Sequence, residues 1–107
     1  MNETEIKVHL VCTAEEEDVR GNVSAIDSET DKAAEDQIFK QLESGNQWAW
    51  CSVEVYAVYR GLRGDSDYLG CCSYPSEASF REPGGYFDDM KAQAIENLWS
   101  KWKELHR

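Results

Sequence analysis

The amino-acid sequence predicts an α+β fold with the element order β-α-β-β-α, in which a three-stranded antiparallel sheet carries both helices on one face. Two patterns lead to this prediction. Apolar residues alternate with polar ones in three segments, as in strands, and recur at helical spacing in two others. Turn residues separate the segments, and a length of 107 residues suits a single domain that spans 1–107.

The first half of the chain predicts a strand, a long loop and a helix. Apolar residues alternate from Ile6 to Cys12, which indicates a half-buried strand. Residues 13–28 are polar and acidic and follow no sustained period, so we expect a long acidic loop there. An apolar stripe then predicts a helix near 29–44, with Gly45-Asn46 as its C-terminal cap.

The second half predicts a β-hairpin followed by a helix. Residues 48–60 form the longest alternating segment, and residues 67–74 form the strand that pairs with it across a glycine-containing turn. An apolar stripe from Phe87 to Leu105 predicts the final helix. Acidic residues in its first turn and basic residues in its last turn complement the helix dipole.

Negative charge is concentrated in the first half of the chain. Residues 1–54 carry 13 Asp or Glu against 4 Lys or Arg, a net charge of −9, whereas residues 55–107 carry 8 against 7, a net charge of −1. Residues 13–36 alone hold 9 acids and 2 bases. Direct binding to nucleic acid or to an anionic membrane needs a basic patch, so this asymmetry disfavours both and favours a basic protein surface as partner.

We therefore take the acidic residues of this segment as a candidate protein-binding surface. Duplex DNA carries one negative charge per about 1.7 Å of axis, so a domain with 11 basic residues among its 21 acids can imitate DNA only locally. The candidate residues are Glu15, Glu16, Glu17, Asp18, Asp27, Glu29, Asp31, Glu35 and Asp36.

Three aromatic residues form a second candidate contact surface. Trp48, Trp50 and Tyr56 share one face of the long predicted strand, and the opposite face is small and aliphatic. In a sheet with helices on one side, one face stays open, and exposed Trp and Tyr side chains are frequent in interface hot spots. The alternation does not decide whether this aromatic face binds a partner, lies beneath the helices or closes a dimer.

The sequence carries no catalytic, metal-binding or cofactor-binding signature. Cys71 and Cys72 are adjacent rather than spaced as zinc ligands are, so we expect the four cysteines to be buried or inert thiols. No local pattern brings His9 or His106 to a nucleophile. Acidic pairs such as Asp88-Asp89 are typical of a helix start and do not indicate a catalytic site. From the cysteines, the histidines and the acidic pairs together, we expect a protein that is not an enzyme and needs neither metal nor cofactor.

Three stretches resemble a group of small uncharacterised proteins carried by bacteriophages and mobile elements. They are residues 48–51, 67–74 and 84–90, within about half of the chain. The resemblance implies an accessory protein in a bacterial cell, a setting in which small acidic proteins often inhibit restriction or CRISPR systems.

These observations predict a non-enzymatic protein that binds a basic protein surface and inhibits a host nucleic-acid-processing or defence enzyme. The alternative is a homodimeric assembly module that buries the open sheet face against a second copy. The first residues are polar and acidic and no stretch of about 20 apolar residues occurs, so we expect a cytoplasmic protein with reduced thiols.

Overall fold

A four-stranded antiparallel sheet and three helices make up the described part of the chain, which confirms the predicted α+β class. The computed structural model describes residues 2–23 and 28–106, and of residues 28–31 it describes the backbone only. Short 3-10 turns at Glu3–Glu5 and Gln47–Ala49 precede two of the strands. The elements are β1 (Lys7–Ala14), α1 (Ser28–Glu43), β2 (Cys51–Tyr59), β3 (Leu62–Arg63), β4 (Asp67–Cys72), α2 (Glu77–Phe80) and α3 (Tyr86–Leu105).

Strand β2 pairs with each of the other three strands. Its antiparallel partner β3 places Val58 opposite Arg63 and Tyr59 opposite Leu62. The turn between them has positive φ angles of 47° at Arg60 and 82° at Gly61, the signature of a two-residue type I′ hairpin. The sequence predicts three strands and not four, because the two-residue β3 is too short to show an alternating pattern.

The two faces of β2 differ in burial as the alternation predicts. Every odd-numbered residue from Cys51 to Tyr59 is buried, and every even-numbered residue is half-buried. The strand is shorter at its start than the predicted 48–60, because residues 47–49 form a 3-10 turn. The Asn46 side chain stabilises this turn by accepting a hydrogen bond from the Trp48 N–H at 3.2 Å.

The first of two compact units comprises Met1–Val11, Glu54–Tyr68 and Arg81–Arg107. Helix α3 belongs to this unit and buries one stripe of its own side chains, as the helical spacing of its apolar residues predicts. The turn after β3 approaches the helix so closely that a Cβ atom at Gly64 would stand 2.7 Å from the Leu98 Cα atom. Only glycine fits there without displacing backbone. The buried residues of α3 are Phe87, Met90, Ala94 and Leu98.

The second compact unit comprises Cys12–Val53 and Leu69–Phe80. Helix α1 confirms the helix predicted near 29–44. It ends as predicted, with Gly45 at a φ of 94° and its N–H donating to the Leu42 carbonyl at 3.0 Å. Helix α2 lies between the predicted strand at 67–74 and the predicted final helix, and the sequence does not predict it because four residues are too few for a helical period.

Candidate protein-binding site

Residues Glu15–Asp18, here called the acidic loop, follow β1 directly. The Glu15 carboxylate turns back toward the sheet, where it accepts a hydrogen bond from the Cys71 N–H at 2.6 Å and another from the Glu17 N–H at 3.1 Å. The bond from Cys71, and next the bond from Glu17, hold the pKa of Glu15 below its ordinary value. Glu15 is therefore an anchor of the loop.

The core of the second unit holds the loop at a further point. Trp50 is buried, and its indole Nε1–H donates to the Glu17 carbonyl at 2.8 Å. Directly after the loop, Val19 is buried in one cluster with Trp50 and Ile38. Three contacts thus fix the backbone of the loop: those of the Glu15 carboxylate, of the Glu17 main-chain carbonyl and of the buried Val19 side chain.

The remaining carboxylates of the loop point into solvent. Glu16, Glu17 and Asp18 are all exposed, and none of them forms an ion pair with any residue in 2–23 or 32–106. With Thr13 and Ser52 the loop lines a depression of about 280 Å³. Three consecutive exposed acidic side chains thus project from a fixed backbone, an arrangement suited to a cationic partner.

Glu35 and Asp36 of the predicted surface are instead engaged by Arg20. Glu35 is buried, accepts a hydrogen bond from the Gly21 N–H at 3.2 Å, and lies 3.7 Å from an Arg20 nitrogen. Asp36 pairs with Arg20 at 2.8 Å, and that hydrogen bond raises the pKa of the guanidinium. Glu35 is therefore removed from the candidate surface, because its carboxylate supports the turn at Gly21.

Three other predicted acidic residues receive no side-chain description. Asp27 lies outside the described residues. Glu29 and Asp31 belong to the first turn of α1, where only the backbone is described. They stay predictions.

Trp50 is not part of an exposed aromatic face. The strand begins at Cys51, so the alternation that placed Trp48 and Trp50 on the face of Tyr56 does not extend to them. Trp50 is 5% exposed and packs into the core, whereas Trp48 is half-buried with its ring centroid 5.3 Å from that of Phe80. Within the second unit, packing against Val19 and Ile38 thus accounts for Trp50, and packing against Phe80 accounts for Trp48.

Tyr56 belongs to a row of side chains that crosses three strands of the first unit. His9 of β1 stacks on its ring at a centroid distance of 5.0 Å and an interplanar angle of 16°. Arg63 of β3 lies over the same ring, with its Cζ atom 3.6 Å from the centroid. Sequence reasoning missed this row, because the register that aligns the three residues depends on the pairing of β1 and β3 with β2.

Glu54 extends this row on the same face of β2. Its Oε2 atom accepts hydrogen bonds from Ser66 at 2.6 Å, Arg63 at 3.0 Å and Tyr68 at 3.1 Å. The bond from Ser66 is the largest cause that lowers the pKa of Glu54. Tyr68 itself remains 68% exposed. This face of β2 is therefore polar, its side chains hydrogen-bond to one another, and Tyr68 is its exposed part.

The four cysteines carry free thiols. Cys51 and Cys72 are buried, Cys12 is half-buried and Cys71 is exposed. Among residues 2–23 and 28–106, no group of three or more His, Cys, Asp or Glu side chains is arranged to hold a metal ion. In the same residues no helix has the length and apolar content needed to cross a membrane.

Comparison of this chain with protein-family models, with curated proteins and with solved structures found no match.

Proposed function

We propose that this protein is a non-enzymatic binding module of the cytoplasm whose acidic loop docks on a basic surface of a nucleic-acid-binding protein. The observation that carries the proposal is the fixed backbone of the loop, which presents Glu16, Glu17 and Asp18 to solvent without ion-pair partners among the described residues outside 28–31. A contact of this kind blocks the surface that the partner uses for nucleic acid. The resemblance to proteins of bacteriophages and mobile elements supports an inhibitory role against a host defence enzyme.

The physical basis is preorganisation. A flexible acidic segment loses conformational freedom when it binds, and that loss opposes association. Here the cost is already met on folding by the contacts of Glu15, Trp50 and Val19. Long-range attraction by the exposed carboxylates then accelerates encounter with a cationic surface, and salt weakens that attraction.

A pair of charge-matched variants tests this proposal. The first variant, E16Q/E17Q/D18N, removes three exposed carboxylates from the loop. The second, D89N/E96Q/E104Q, removes three exposed carboxylates from α3 and so changes the net charge of −10 by the same amount. Each is immobilised beside the original chain, bacterial lysate is passed over it, and bound proteins are eluted with salt or, at constant ionic strength, with a short DNA duplex.

We expect a partner that the original chain and the α3 variant retain, that the loop variant loses, and that the DNA duplex displaces. Equal retention by all three chains would show that the loop is not the contact. Equal loss by both variants would show that net charge alone, and not the loop, governs capture. Elution by salt but not by DNA would remove the nucleic-acid-binding class of partner.

A second candidate function is self-assembly through the open face of β2, the alternative of the sequence analysis. The observation in its favour is the exposed ring of Tyr68, held beside the row of Tyr56 and Arg63. Sedimentation of the original chain and of Tyr68→Ala over a wide concentration range tests it. A dimer that Tyr68→Ala dissociates is expected from this function, whereas a monomer at every concentration excludes it.

A further inference from the structure

Three strands bring Cys12, Cys51 and Cys72 together in the second unit, here called the thiol cluster. Cys51 is the first residue of β2, and Cys72 is the last residue of β4. Cys51 interacts with both of the other thiols: its hydrogen-bonding interaction with Cys72, then its burial, and then its interaction with Cys12 raise the pKa of Cys51. The side chain of Cys51 is fully buried, and Cys72 is 4% exposed. The binding role proposed above uses none of these thiols.

A local break in the strand places Cys72 inside. Cys71 has a φ of 53°, in the left-handed region that residues other than glycine rarely adopt. Cys71 is consequently exposed, while Cys72 is buried with its Sγ atom 3.4 Å from the Leu69 carbonyl oxygen. The two neighbouring cysteines therefore lie in different environments, and the inner one faces Cys51.

We propose that Cys51 and Cys72 are a redox-active dithiol that hydrogen peroxide converts into a disulfide between β2 and β4. The pairing of the two strands provides the geometry. Strand β4 pairs with β2, and Cys72 as the last residue of β4 lies at the same end of this antiparallel pair as Cys51, the first residue of β2. At that end the Tyr74 N–H donates to the Trp48 carbonyl at 2.8 Å, so the two chain segments remain adjacent there. A disulfide needs Cα atoms about 4.4–6.8 Å apart, a spacing that neighbouring antiparallel strands offer.

The reaction proceeds in two balanced steps. The Cys72 thiolate attacks one oxygen of hydrogen peroxide, the O–O bond breaks, and the departing hydroxide takes up a proton to give water and a sulfenic acid on Cys72. The Cys51 sulfur then attacks the Cys72 sulfur, the S–O bond breaks, and a second water leaves. Two thiols and one peroxide thus become one disulfide and two waters.

The environment of each thiol assigns these roles. The hydrogen bond with Cys51 lowers the pKa of Cys72, so Cys72 is the member of the pair that loses its proton more readily. That same hydrogen bond is the largest cause that raises the pKa of Cys51, so Cys51 keeps its proton until the sulfenic acid has formed. Burial raises the pKa of Cys12, which therefore stays a thiol.

Peptide mapping of the oxidised protein tests the proposal. The reduced full chain is treated with graded hydrogen peroxide at neutral pH, quenched with catalase, unfolded in guanidinium chloride with N-ethylmaleimide present so that buried thiols also react, and digested with trypsin without reductant. Cleavage after Lys40, Arg60, Arg63 and Arg81 puts Cys51 and Cys72 on separate peptides. Because Cys71 shares the peptide of Cys72, the exposed-site variant Cys71→Ser is analysed in parallel to assign the linked sulfur.

We expect the linked peptides 41–60 and 64–81 from the original chain and from Cys71→Ser, with the number of alkylated thiols in the original chain falling from four to two. Four alkylated thiols after treatment would overturn the proposal. A bond from Cys51 to Cys12, or dimers through Cys71 as the only product, would also overturn it. In Cys51→Ala the sulfenic acid on Cys72 should persist and react with dimedone. The original chain and Cys71→Ser decide the proposal even if Cys51→Ala does not fold.

Discussion

Replacing Trp50 with Phe separates the anchoring of the acidic loop from the burial of an aromatic ring. The change removes the 2.8 Å hydrogen bond from the indole to the Glu17 carbonyl. A neutral hydrogen bond contributes about 1 kcal/mol, and the part of the indole that Phe does not fill leaves a void that costs about 1–2 kcal/mol more at a buried position. We expect Trp50→Phe to lower the free energy of unfolding by about 2–3 kcal/mol.

The loop should respond beyond this global effect. If the indole hydrogen bond contributes about 1 kcal/mol to the free energy of local opening of the acidic loop, its loss makes amide exchange at residues 16–19 about fivefold faster under conditions where the protein stays folded. Urea unfolding and hydrogen exchange read by mass spectrometry measure the two quantities. Trp99→Phe is the matched control, since Trp99 is half-buried in the other unit and makes no hydrogen bond from its indole to any described residue. Equal loop exchange in both variants would refute the anchoring by Trp50.

Two further predictions concern close packing and pH. Gly64→Ala should lower the free energy of unfolding in urea by about 1–3 kcal/mol, because the new methyl would meet Leu98 backbone at 2.7 Å; unchanged stability would contradict that contact. The pKa values of Glu15 and Glu54 are held low in the folded chain, so their stabilisation is complete above the unfolded carboxyl pKa of about 4.3 and is lost as the pH falls through the folded values. Glu15→Gln and Glu54→Gln should each flatten the decline of the thermal midpoint below about pH 5, and an unaltered pH profile would show that these hydrogen bonds do not favour the charged forms.

The sequence was most informative where a pattern extends over many residues. Helix α1, helix α3 and the alternating pattern of β2 were all predicted, because each shows a single period over at least nine residues, whereas which face of β2 is buried was left open. When one face of a helix or strand is buried, apolar residues must recur at the period of that element. The sequence pattern and the packing therefore have the same cause. The C-terminal cap at Gly45 was predicted for a local reason, since glycine adopts a positive φ without strain.

The site was less predictable because it depends on interruptions of those patterns. A 3-10 turn ends the alternation before Trp50 and turns that ring into the core. A left-handed residue at Cys71 turns Cys72 inward and frees the N–H group that binds Glu15. No periodic signal announces a single residue of unusual backbone conformation. Tertiary hydrogen bonds that select such a conformation join residues far apart in the chain.

The anchoring of the acidic loop also explains how four consecutive carboxylates are held in one conformation. Like charges on adjacent residues repel each other, which favours an extended, mobile segment. Backbone N–H groups oppose this repulsion, because Cys71 and Glu17 donate to Glu15 and Arg20 donates to Asp18. The two bonds to Glu15 favour its charged form in the folded state, as its lowered pKa indicates. The carboxylates of Glu16 and Glu17 accept no such bond from any residue in 2–23 or 32–106, and Asp18 stays exposed beside its bond from Arg20, so all three are charges that a cationic partner can neutralise.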